Sequence, residues 1–138
     1  MKLYKSDKIR FISGLIFIII IYSCYYIFFA ENNNSLFIPR KIKHVIRFLI
    51  TIVIYLVGTF HLGKLKDTWM SSIWHIIHIS GLCIIASLGL FDWLVADLSL
   101  SLKVFVNSIQ EILISPGLYV AMGLLNKSLN KTSMSKNV

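Results

Sequence analysis

The sequence is short of acid, of cysteine and of the signatures that mark enzymes. Six aspartates and glutamates stand against fourteen lysines and arginines. Glu111 is the only acid set well inside an apolar stretch; Asp92 and Asp97 fall at or beyond the end of one, where water reaches them. The two cysteines, Cys24 and Cys83, form no CxxC pair, which removes a thiol–disulfide centre and a zinc ribbon and leaves two inert buried thiols. No HExxH, no glycine-rich phosphate loop and no plausible Ser/His/Asp set is present, so no hydrolase or nucleotide chemistry can be named. There is no internal repeat, and too little polar chain for a separate soluble domain.

What the chain does have is apolar length. The hydrophobic fraction is 57% and the mean hydropathy +0.76, above the roughly 45–50% of soluble domains. Four stretches carry it: 11–30, 44–62, 69–94 and 103–125. Each is near the ~20 residues a helix needs to cross a hydrocarbon core. In lipid the backbone must satisfy its own hydrogen bonds, so the stretches are expected to be helices. The expected fold is all-α: a four-helix integral membrane bundle with short connections, one domain over 1–138, ending in a frayed polar tail, 126–138. Lys2, Lys5, Lys8 and Arg10 precede the first stretch as in a secretory signal. Its apolar run is too long, and Phe28-Phe29-Ala30 lacks a small residue at the cleavage position, so it reads as a retained helix.

The net charge of +8 is explained by the membrane. Nine bases (Lys2, Lys5, Lys8, Arg10, Lys64, Lys66, Lys127, Lys131, Lys136) fall on the side that holds the termini and the second connection. Four (Arg40, Lys41, Lys43, Lys103) fall on the other. The positive-inside rule then places both termini in the cytoplasm, and a bacterial plasma membrane is the expected location. Nucleic acid is not expected as a partner. Tyr25, Tyr26, Phe28, Phe29, Phe91 and Trp93 are expected to belt the outer interface, and Trp69 and Trp74 to sit near the inner one. The connection 31–43 holds the Asn32, Asn33 and Asn34 run, with Pro39 just before the second span, and 95–102 is expected to lie flat at the outer interface.

The polar residues inside the stretches are the functional clues. At about 100° per residue, Arg47, Thr51, Tyr55, Gly58 and His61 share one face of the second span. Ser71, His75 and His78 share one of the third, and Asn107, Ser108, Glu111, Ser115 and Tyr119 one of the fourth. Polar groups facing lipid are costly, so the three stripes are expected to point at one another. Such groups commonly join helices by hydrogen bonds worth ~0.6–2 kcal/mol.

Glu111 lies about 4–5 Å from the expected bilayer centre at 1.5 Å per residue. A carboxylate there costs roughly 2.5–3.5 kcal/mol on insertion scales. It must be protonated, paired or wet, and Arg47 is the expected partner, either as a buried pair or beside a carboxyl that moves protons or binds a cation. Pro116 leaves the carbonyl of Ile112 without its helical partner, and Ser115-Pro116-Gly117 is expected to kink the span. His75, His78, Asn107 and Tyr55 would line a polar interior. His75 and His78 lack a matching histidine at their depth, with His61 too shallow and His44 at the opposite end, so no metal and no cofactor is expected.

Three functional readings follow. The first is a non-enzymatic membrane component acting by helix–helix association, as a subunit or accessory protein beside other membrane subunits or copies of itself. The second is a proton- or cation-coupled transporter or channel centred on Glu111. The third is a membrane redox or quinone protein using His75 and His78.

Overall fold

In a computed structural model the chain is all-α, and residues 6–31, 39–65 and 68–136 are described. The Asn32–Asn34 run and three of the bases counted for orientation, Lys2, Lys5 and Lys66, lie outside the described residues. Five helices follow one another: α1 (Asp7–Tyr25), extended by a π-helical turn (Tyr26–Glu31), α2 (Arg40–Leu62), α3 (Thr68–Leu94), α4 (Leu100–Ile114) and α5 (Gly117–Lys136). Three segments, Asp7–Phe29, Lys41–Leu62 and Thr68–Leu94, are each long and apolar enough to cross a membrane. The pair α4 and α5, bent by 56° at the Pro116 break, would count as a fourth if taken as one span.

The bend has a local cause. Proline cannot donate to the carbonyl four residues back. The next amide, Gly117 N–H, donates instead to Ser115 Oγ at 3.1 Å, while Ser115 N–H closes α4 on the Glu111 carbonyl at 2.9 Å. After the break no proline follows and the last glycine is Gly123, so α5 runs on through Lys136. The expected fraying after Leu125 is therefore corrected: 126–136 are helical and mostly exposed.

The elements alternate in direction. Arg10 in α1 donates to the Lys64 carbonyl between α2 and α3. Phe11 stacks on Tyr119 of α5, centroids 4.6 Å apart, and the Tyr119 hydroxyl donates to the Phe11 carbonyl at 3.0 Å. The start of α1, the α2–α3 connection and α5 thus lie at one end, as four alternating passes require. The core follows the same line: Ile18, Ile54, Leu62, Trp74, Ile114 and Tyr119 are at most 1% exposed. At Gly58 a Cβ would run into the Trp74 ring, and at Gly14 into the Tyr119 hydroxyl. Those two glycines let helices approach where the large rings cross.

Outside, the bundle is greasy. Ile16, Phe17, Leu56, Ile76 and Leu90 are each more than half exposed. Only 17% of the apolar window of α1 is buried. A surface of this kind is unlike that of a water-soluble monomer.

Three local expectations change. Tyr25 is not a belt residue: it is 7% exposed, turned inward against the bundle. Trp74 is fully buried and donates from Nε1 to the Tyr55 carbonyl at 3.1 Å, because Gly58 makes room for it. Cys24 and Cys83 are exposed on their helices and not buried. Residues 95–99 are irregular, and α4 starts at Leu100 with Ser99 capping it through Oγ to Leu102 N–H.

Candidate functional site

Two polar regions occupy the bundle. The first lies between α2 and α3 and holds the histidines. The Tyr55 hydroxyl and His75 Nδ1 are 2.6 Å apart, and the Tyr55 ring stacks on His78 at 5.6 Å. His78 in turn packs on Trp74, centroids 3.9 Å apart. His78 Nδ1 lies 3.1 Å from the Trp74 carbonyl one turn back. A carbonyl only accepts, so Nδ1 carries the hydrogen and a neutral ring presents a bare Nε2. That Nε2 is buried without a hydrogen-bond partner among the described residues, with the Leu113 backbone of α4 close to the ring. His61 is held the same way, Nδ1 to the Val57 carbonyl at 2.8 Å, and packs beside Phe17 of α1. His75 and His78 are thus engaged by α2 and by their own helix, and His61 is turned towards α1.

The second region joins α1, α2 and α4. Arg47 Nη1 donates to Asn107 Oδ1 at 3.3 Å. Its backbone carbonyl takes the Thr51 hydroxyl at 2.9 Å. Tyr25, from the first helix, is buried in this region, with its hydroxyl in electrostatic reach of both Arg47 and Glu111.

Arg47 and Glu111 themselves do not form the expected ion pair. The described ion pairs are Arg10 with Asp7 and Lys103 with Asp92. Glu111 is exposed on the outer face of α4, and Ser108 beside it is exposed as well. The stripes of α2 and α3 turn inward, with Thr51, Gly58, His61 and His78 buried. The stripe of α4 is split: Asn107 keeps its inward contact, while Ser108 and Glu111 face out. The reason is the neighbouring face. Val106, Gln110, Leu113 and Ile114 are the buried residues of α4. Leu113 packs so closely against α3 that a Cβ on Gly81 would lie 2.6 Å from it. Burying that row rotates Glu111 out of the interior.

Glu111 opens onto a cleft of about 540 Å³ at the break, shared with Tyr22, Ser108, Ser115 and Leu118. The carboxylate and the Ser108 and Ser115 side chains bring oxygen to a lining that is otherwise mostly apolar, and Pro116 leaves the nearby Ile112 carbonyl without its helical donor. Ser108 Oγ donates back to the Val104 carbonyl at 2.9 Å, which fixes its lone pairs outward.

The sequence could not show Tyr25 as part of this region, since it sits among aromatics that read as an interfacial belt. Gln110 was likewise unmarked, one residue from the acid and on the face that closes. No family model, curated protein or solved structure matches the chain.

Proposed function

We propose that the chain is a four-span integral membrane protein, with both termini cytoplasmic, that works by helix–helix association as a subunit or accessory component. The observation that carries this reading is Glu111. It sits in an apolar segment, is exposed on the outer face of α4, and has no ion-pair or hydrogen-bond partner among the described residues. A carboxyl group facing lipid is costly, and a covering helix that offers it a hydrogen-bond donor removes that cost. We take that donor to come from a different protein: Arg47, the base nearest that depth, is held by Asn107, and the other bases lie at the helix ends. A second copy docked on the same face would bring carboxyl against carboxyl.

A photo-crosslinking residue at position 112, next to Glu111 and exposed, tests this in native membranes. The expected result is one discrete adduct of a second protein, absent from the same probe at Ile76 and lost with Glu111→Leu. An adduct of twice the chain mass would show a homo-oligomer in its place. Adducts to lipid alone would overturn the association reading.

The cleft at the break favours the second reading, a proton- or cation-coupled pathway through Glu111. Broken helices with freed carbonyls beside an acid are how many transporters hold ions. Glu111→Gln keeps the shape and removes the titrating charge. A reconstituted ion flux that Glu111→Gln abolishes, in a protein that still folds and keeps its partner, would move the transport reading to first place.

A further inference from the structure

We propose that a second cleft, at the opposite end of the bundle from Tyr119, binds a neutral aliphatic amphiphile with its terminal hydroxyl pointing inward. The cleft is formed where α2 begins, α3 ends and α4 begins, and it holds about 370 Å³. Its walls are mostly apolar, among them Phe48, Ile85, Ala86 and Val106, with His44 of α2 as a polar member. Its deep end is polar. Gln110 lines it, is only 2% exposed, and among the described residues its enclosed Oε1 has no hydrogen-bond partner. An acceptor buried in this state costs stability until a donor reaches it.

The mouth has a different chemistry. Lys103 Nζ lies 3.9 Å from Asp92 Oδ1, and the same Asp92 oxygen accepts from Leu98 N–H at 2.8 Å. This fastens the 95–99 connection beside the opening, with Trp93 at the rim. Lys103 and Gln110 are seven residues apart on one helix, so the cleft is roughly 10 Å deep at 1.5 Å per residue.

These features select the ligand. A plain acyl chain would fill the walls and leave Oε1 bare. An ionised headgroup would have to shed its hydration to reach the floor. Water alone would satisfy Gln110 but wet an apolar wall. A neutral hydroxyl on an apolar body about 10 Å long meets both demands, since it can donate to or accept from the Gln110 amide while its other end stays at the charged rim. Gly89 supplies the room: a Cβ there would meet no atom within 4 Å. The site is separate from the Glu111 face and does not rest on the association reading.

The test uses the full chain in lipid nanodiscs and an octanol brominated on its terminal carbon. With the hydroxyl at Gln110, the bromine reaches the rim and quenches Trp93; Trp69 and Trp74 lie towards the other end of α3. The expected result is saturable quenching that vanishes with Trp93→Phe. Gln110→Leu weakens the apparent affinity about ten-fold. Gly89→Leu, which extends a side chain into the cleft from a position with room for its Cβ, abolishes the saturable component, and bromo-octane, lacking the hydroxyl, gives only the linear quenching of membrane partition. Helical circular dichroism and melting confirm that each variant folds. Should Gln110→Leu unfold the chain, the alcohol–alkane difference and Gly89→Leu decide the matter. Equal quenching by alcohol and alkane, or saturable binding that survives Gly89→Leu, would overturn the proposal.

Discussion

The α2–α3 seam and the α4–α5 break hold similar polar residues and treat them in opposite ways. Along the seam, Tyr55, His75, His78 and Trp74 hold one another in stacked and hydrogen-bonded contacts. At the break, a proline removes a donor and the row of Val106, Gln110, Leu113 and Ile114 takes the interior, so the acid is pushed to the surface. Polar groups in an apolar segment become architecture where a glycine lets the helices close on them. They become an open site where a bulky row closes instead.

The sharpest way to break this contrast is at the seam. Trp74→Ala removes the largest fully buried side chain and should destabilise the chain by about 3–5 kcal/mol in reversible detergent unfolding. A loss below ~1 kcal/mol would mean that the seam does not hold the bundle together. Glu111→Leu should do the reverse for membrane entry. Insertion of the 103–125 segment should improve by roughly 2.5 kcal/mol in a translocation assay, since an outward acid is removed with no partner stranded. Worse insertion would show that the carboxyl is matched within the chain.

Two smaller effects sharpen the picture. A double-mutant cycle on Arg47 and Asn107 should show coupling of about 0.6–1.7 kcal/mol, and one on Arg47 and Glu111 distinctly less. The opposite order would restore the direct ion pair. Tyr55→Phe deletes only the hydroxyl that meets His75 and should cost ~0.6 kcal/mol by the same unfolding measurement. A several-fold larger loss would make that contact the anchor of the seam.

Much of the fold is legible in the chain because the signals are long. Twenty apolar residues with few breaks have one solution in lipid, and Pro116 marks its own bend. The inward faces of α2 and α3 follow from periodicity, as Thr51, His61 and His78 show. The face of α4 does not. Glu111 and Gln110 are neighbours, and periodicity offers either row to the interior. The choice is made by the fit of Leu113 against Gly81, a contact between residues 32 positions apart that no local pattern carries. Tyr25 reads as a belt residue for a similar reason: which aromatic of a cluster turns inward depends on Arg47, near it on another helix.

The uninterrupted α5 also has a mechanical meaning. Tyr119 and Met122 pin its first turns against the bundle, and the mostly exposed residues past Gly123, tipped by Lys136, form an arm about 20 Å long. For an arm of that length, a 10° change at its base sweeps the tip through roughly 3.5 Å. Lys127 and Lys131, four residues apart and so on one side of the arm, travel with it. A small bend at the base of that arm therefore moves a row of positive charge by the width of a side chain.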